Sequence, residues 1–255
     1  MIKIHFLGTC SGTEPMEGMK HTSIVFEING LYYWFDAGEG CSRTAHLSGI
    51  DLLKVKSIFV SHPHFDHIGG LGGLMWNMRK LTLRMPDRRP PDNEVNLYVP
   101  DMESWEGIFT MLKCTEKGFD CEYDINVNKV CEGKVYSDKN ITVYAYHNNH
   151  LGENDKRSFT YRIEAENKSV VFSGDVKTVH DADQAIVDGC DIFVMETGHH
   201  SMEDIIDFVN QKNIGTLVFT HHGRFIINNR PEAEGKLNLC NKKAVIANDG
   251  MIMEV

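Results

Sequence analysis

Three histidines and an aspartate fall within six positions of the stretch SHPHFDHIGG, residues 61–70, directly after the apolar run Ile58-Phe59-Val60. Imidazole and carboxylate together are ligand types for zinc, iron or manganese. At the end of a strand, alternation projects His62 and His64 to one side, and Asp66 and His67 reach the same space from the start of a following helix. Four ligands from so short a segment do not close comfortably around one tetrahedral ion. Shared between two neighbouring ions, His62 and His64 serve one and Asp66 with His67 the other. The glycines at 69, 70, 72 and 73 would leave room beside the ions and allow close helix packing. Surface histidines with Asp66 as a helix N-cap are the bland alternative, but ligand-type groups gather this densely at functional sites.

Two ions need further ligands, and the chain offers them after apolar runs. His147 and His150 follow ITVYAY, Asp175 follows VVFSG, and His221 and His222 follow TLVFT. Such strand ends are where loops collect into a site.

The elements that must position these groups are mostly strands. Segments Ile2–Leu7, Thr22–Ile28, Leu31–Asp36 and Ser57–Val60 read as strands, and Asn29-Gly30 suits the positive-φ positions of a type I′ hairpin. Later strands are expected at 95–99, 141–146, 159–164, 169–172, 192–195, 216–219, 244–246 and 251–253. Helices are expected at Gly69–Met78, from an Asp101 cap to about Leu112, and from Ser201, with Asp204 three residues on, through Val209. Hairpins with interspersed helices, then a similar second half, suggest two sheets covered outside by helices within a single domain, 1–255.

Composition sets the outer bounds. The chain has 255 residues, 42% apolar and 24% charged, the profile of a soluble globular protein. No apolar run approaches the ~20 residues of a membrane span, and the N-terminus MIKIHFLGTC lacks the pattern of a signal peptide. The cysteines, at 10, 41, 114, 121, 131, 190 and 240, are odd in number and form no CxxC pair, which points to reduced thiols in the cytoplasm. A net charge of −10 gives no global attraction to nucleic acid or anionic membrane. One basic stretch, NMRKLTLRMPDRRP at 77–90, reads either as a solvated helix end and loop or as a patch that meets phosphate.

On these motifs the sequence resembles the metallo-β-lactamase-fold hydrolases, within them the tRNase Z-like phosphodiesterase branch. The resemblance starts at FLGTCSGTEP (6–15) and continues through WFDAGEG (34–40), HPHFDH (62–67), NNHLGENDKRSFTYRIE (148–164), FSGD (172–175) and VFTHHGR (218–224). It implies a four-layer αββα sandwich of two mixed β-sheets flanked by helices. It further implies that His62, His64 and His150 hold one metal, that Asp66, His67 and His221 hold the other, and that Asp175 bridges them. His147 and His222 remain the alternatives to their neighbours. Asp36 matches the buried aspartate that braces the site.

The implied cofactors are two divalent ions, zinc foremost, with manganese or iron also suited to the ligands. They would lower the pKa of a bridging water, with Asp66 orienting it or taking its proton. A leaving-group acid would come from His222, His199 or His200. Arg162, Arg224 or the basic stretch would meet phosphate.

Some features depart from the tRNase Z pattern. Met195-Glu196-Thr197 lacks the histidine of that branch's His-Glu pair, no long Gly/Pro-rich arm lies between 67 and 150, Thr160 replaces a glycine and Val176 a threonine. These departures weigh against tRNA and leave a small-molecule or nucleotide phosphodiester as the substrate, with no membrane partner and a homodimer as a compatible assembly. Hydrolysis of a lactone, thioester or amide is the alternative, and an iron-dependent redox or sensing protein the more distant one.

Overall fold

The computed structural model of the protein describes residues 1–12 and 16–255, so the last three positions of the FLGTCSGTEP motif lie outside the described residues. The chain forms two compact units, one of Met1–Gly8, Pro15–Val130 and Asp249–Val255, the other of Thr9–Glu14 and Cys131–Asn248.

Unit 1 begins with strands β1 (Ile2–Gly8), β2 (Ser23–Ile28), β3 (Leu31–Phe35), β4 (Val55–Phe59), β5 (Glu94–Val99) and β6 (Asp124–Lys129). Unit 2 holds β7 (Gly133–Ser137), β8 (Thr142–His147), β9 (Phe159–Ala165), β10 (Lys168–Phe172), β11 (Cys190–Thr197), β12 (Ile214–His222) and β13 (Lys243–Ile246). The last strand, β14 (Met251–Glu254), returns to unit 1. The sheet orders are β14-β1-β2-β3-β4-β5-β6 and β13-β12-β11-β10-β9-β8-β7. Both sheets are mixed: pairing is antiparallel from β14 to β3 and from β7 to β10, and parallel elsewhere.

Helices α1 (Cys41–Leu47), α2 (Phe65–Ile68), α3 (Leu71–Arg84) and α4 (Met102–Lys113) belong to unit 1, and α5 (Met202–Asn210), α6 (Arg224–Asn228) and α7 (Arg230–Lys236) to unit 2. Among the described residues, no helix is long and apolar enough to cross a membrane.

Local chemistry explains the elements around the site. The β2–β3 turn places Asn29 at φ 52° and Gly30 at φ 74°, the pair of positive values a type I′ hairpin needs. Every residue of β4 is buried, as expected for a parallel strand covered on both faces. One face of the unit 1 sheet packs Trp34, Ile58, Val95 and Leu97 with Leu71, Leu74 and Met78 of α3. On the other face Phe26, Phe35, Phe59 and Tyr98 form a row with ring centroids 5.1, 4.8 and 5.0 Å apart. Asp101 caps α4 by accepting from the Ser104 amide at 2.7 Å. Ser201 caps α5 by accepting from the Asp204 amide at 3.1 Å.

Three differences from the sequence reading have physical causes. Strands β6 and β7 are additional to it, because DINVNK and GKVYS carry too few apolar residues to announce strands. The helix expected at 69–78 is α3, which starts at Leu71 and runs on to Arg84, and a separate short helix, α2, precedes it across Gly69-Gly70. A Cβ on Gly70 would lie 2.1 Å from the Gly38 carbonyl oxygen, so close backbone approach requires that glycine, whereas Gly73 faces open space. The basic stretch is solvated in part, with Arg84 and Arg88 exposed, but not throughout. Arg79 is buried, donating to the carbonyls of Asp120 and Glu116, and Lys80 lies over the Trp76 ring. Arg88 pairs with Asp51 and Arg89 with Glu122.

Candidate metal centre

In unit 1 the loop after β4 carries His62, His64, Asp66 and His67. His64 occupies the N-cap position of α2, and Asp66 and His67 lie within that short helix. His62 Nε2 and His64 Nδ1 come within 3.1 Å, and the rings of His62 and His67 stand 4.1 Å apart.

A buried brace sits behind them. Asp36, at φ 57° and fully buried, places Oδ2 2.6 Å from His67 Nδ1 and accepts from the Ser61 amide at 2.6 Å and the Ser61 hydroxyl at 2.8 Å. With Nδ1–H directed at the carboxylate, His67 turns its Nε2 lone pair the other way, as a metal-ligating imidazole does. Asp36 is itself fixed. Its amide donates to the Phe59 carbonyl at 2.9 Å, and its carbonyl accepts from Trp34 Nε1 at 3.0 Å. The neighbouring amide of Ala37 donates to the His67 carbonyl at 2.7 Å, tying this segment to the histidine loop.

In unit 2, Asp175 lies past the end of β10 and is almost fully buried. His221 Nε2 stands 3.4 Å from its Oδ1, while His150 Nε2 and His199 Nδ1 stand 3.7 and 3.8 Å from its Oδ2. Those separations exceed a good hydrogen bond. A tetrahedral ion with bonds of about 2.1 Å holds its donor atoms about 3.4 Å apart. The donor set therefore fits a cation better than a direct imidazole–carboxylate pairing. His67 Nε2 and Asp66 Oδ2, at 3.3 Å, show the same spacing in unit 1.

Glu196, on β11, is a site residue that the sequence reading misses. Its side chain is 1% exposed, and it accepts from the His199 amide at 2.9 Å and faces His199 Nδ1 at 3.0 Å. Its second oxygen is 3.8 Å from His221 Nδ1. Glu196, His199 and His221 form a group with spacing suited to a metal. The missing histidine partner is thus supplied from three positions later, by chain reversal after β11. The signal is present in the sequence: Glu196 ends an apolar run just as Asp175 does.

Other expected residues are engaged elsewhere. His222 does not serve as a leaving-group acid. It is buried, donates through Nε2 to the Ala247 carbonyl at 2.8 Å, and has Nδ1 3.2 Å from Thr197 Oγ1. Burial lowers its pKa to about 4, so it stays neutral near pH 7. Arg162 is also lost as a phosphate ligand, since its guanidinium holds the carbonyls of Ala185 and Gly189 and pairs with Glu164. His147 Nε2 donates to the Asp155 carbonyl at 2.9 Å, and His200 Nε2 to the Val176 carbonyl at 3.0 Å. Arg224 is exposed at the first position of α6.

The fold is the metallo-β-lactamase fold, and its histidine–aspartate clusters have the spacing of metal ligands. A sequence model of the family described as Anti-Pycsar protein Apyc1 matches residues 2–246, and the chain belongs to that family. It is similar to a Ribonuclease Z of Methanothermobacter thermautotrophicus, 34% identical over 145 residues, covering 56% of this chain and 43% of the relative. The chain thus spans less than half the length of that relative. Among solved structures, the metallo-β-lactamase fold protein YhfI from Bacillus subtilis superposes with a TM-score of 0.76 at 18% identity, covering 100% of this chain and 99% of YhfI. A diphosphatase from the PhnP family gives 0.69 at 16% identity, covering 100% of this chain and 98% of that one.

Proposed function

We propose that the protein hydrolyses a small phosphodiester, such as a cyclic nucleotide or a short oligonucleotide, with two divalent ions, zinc foremost. The ligands in this reading are the seven that the motif resemblance assigns: His62, His64, Asp66, His67, His150, Asp175 and His221. The observation that carries it is Asp175 flanked by His150 and His221 at 3.7 and 3.4 Å, the spacing of ligands around a cation.

When bound, the ions supply a water acidic enough to ionise near neutral pH and positive charge for the phosphate oxygens. The chain's own groups do the rest. Asp36 and Ser61 fix the His67 ring, so its ligand atom does not reorient during turnover. Asp66 orients the attacking water or takes its proton. His199, 44% exposed and held through its ring and amide by Glu196, gives a proton to the departing oxygen. Arg224 meets the phosphate from the start of α6.

The net charge of −10 and the lack of a long arm between 67 and 150 favour a nucleotide over tRNA. In this reading the protein works in the cytoplasm with reduced thiols, and a homodimer is the assembly to be measured by light scattering.

The test is metal analysis coupled to rates on bis(p-nitrophenyl) phosphate, a lactone and a thioester. Diester turnover that follows bound metal and disappears in His62→Ala supports the proposal. Turnover of only the lactone or thioester reassigns the protein to acyl hydrolysis. Bound iron with redox activity and no hydrolysis ends the hydrolase reading.

A further inference from the structure

His221 reaches its place by an irregular route. Along the parallel β11–β12 pair, Glu196 is opposite Thr220 and Thr197 is opposite His222, so His221 is the extra residue of a bulge. Its backbone lies in the left-handed region at φ 47°, a conformation uncommon for a residue with a side chain and held here by its surroundings. Bulges beside a site serve to re-aim a side chain.

We propose that Gly198 and His222 are the positioning residues that impose this conformation and set the His221 imidazole in its ligand position; the inference rests on the metal-dependent reading above. Gly198 provides a notch. A Cβ there would lie 2.7 Å from His221 Nδ1, 2.8 Å from its Cε1 and 3.2 Å from Ser11 Cβ. The ring has little room to yield. Its side chain is 3% exposed, its Nε2 already stands 3.4 Å from Asp175 Oδ1, and it stacks against His199 at 5.7 Å. A single added methyl group therefore moves the imidazole that carries the ligand atom.

His222 provides a clip. Its amide donates to the Thr9 carbonyl at 2.6 Å and its carbonyl accepts from the Ser11 amide at 3.2 Å. Its ring spans from the Ala247 carbonyl, at 2.8 Å, to Thr197 Oγ1, at 3.2 Å. With residue 222 fixed through both backbone and ring, the chain accommodates His221 only as the bulged residue. This gives the neutral, buried His222 a role that needs no proton transfer.

The experiment is zinc uptake by metal-stripped protein, followed by equilibrium dialysis and elemental analysis, with thermal melting of the metal-free form as the control for folding. Wild type is expected to take two equivalents. Gly198→Ala keeps one and binds the other at least about tenfold more weakly, the range seen when a group that orients a metal ligand is lost. His221→Ala loses the same equivalent. The double variant Gly198→Ala/His221→Ala is no worse than His221→Ala, because both changes act through one imidazole. His222→Phe, which keeps an aromatic ring and removes both ring hydrogen bonds, weakens the same equivalent and decides the matter if Gly198→Ala fails to fold. Wild-type affinity for both ions in Gly198→Ala and His222→Phe overturns the inference and leaves the functional reading standing. So does additivity in the double variant. Wild type that takes up no zinc overturns the functional reading itself, and this inference with it.

Discussion

In unit 1, His62, His64, Asp66 and His67 come from one loop and the short helix that follows it. In unit 2, His150, Asp175 and His221 come from the ends of β8, β10 and β12, far apart in the chain. The first group is assembled by local backbone geometry, with one carboxylate from β3's end as its support. The second is assembled by sheet order. β11 lies between β10 and β12, and strands are spaced about 4.8 Å apart. Glu196 on β11 therefore lies between the Asp175 end of β10 and the His221 end of β12, within reach of His199 and His221. The loop cluster depends on its own turn and on the Asp36 carboxylate. The sheet-borne cluster depends on every strand between its members holding register.

The largest effect that would sharpen this contrast is at Asp175. Asp175→Asn keeps the shape but removes the charge that three imidazoles face, and it is expected to abolish measurable diester turnover and reduce bound zinc below two equivalents. Unchanged zinc content by elemental analysis would show that Asp175 holds no ion.

The supports of the two clusters should differ in kind. Asp36→Asn frees the His67 ring and is expected to weaken metal binding about 10–100-fold, whatever the substrate. Glu196→Gln loosens His199 and is expected to slow an alkyl phosphodiester by about 10²-fold while leaving an aryl diester, whose leaving group needs no acid, far less affected. Equal loss on both substrates would break the assignment of His199 as proton donor.

A smaller effect separates the site from the scaffold. Lys56, nearly buried in β4, pairs with Glu94 at 2.8 Å and Asp92 at 2.9 Å. Because both carboxylates are partly exposed, Lys56→Met should cost only about 1 kcal/mol in a denaturant titration and leave zinc binding unchanged.

The smallest perturbation uses the thiols, of which Cys10, Cys41 and Cys190 are buried. Burial pushes Cys41 and Cys190 up to about 12, so at pH 8 only about one molecule in 10⁴ carries a thiolate at either position. Exposed Cys114 and Cys131 should be labelled first by iodoacetamide, with peptide mapping as the readout. Early labelling of Cys41 or Cys190 would mean that its unit opens more readily than its packing implies.

Much of the fold and part of the site are legible without tertiary information. The strand ends, the Asn29-Gly30 turn and the Asp101 and Ser201 caps follow from local pattern and backbone preference. The spacing of residues 62–67 is itself a chemical signal, because four ligand types that close together stand out on their own. The edge strands β6 and β7 are hidden by polar composition. Arg79 looks like a surface cation because a sequence does not show that its guanidinium will find two carbonyls and two aromatic rings.

The sequence by itself determined which side chains have ligand chemistry and where strands and helices begin, since both depend on residue type and near neighbours. Only the tertiary structure decided between chemically identical neighbours. His221 and His222 carry the same imidazole, yet the β11–β12 bulge sends one toward Asp175 and locks the other against Ala247. Glu196 acquired its histidine the same way, because the reversal after β11 brings His199 back onto it. Register and chain reversal are set by the packing of whole sheets, which no short stretch of sequence contains.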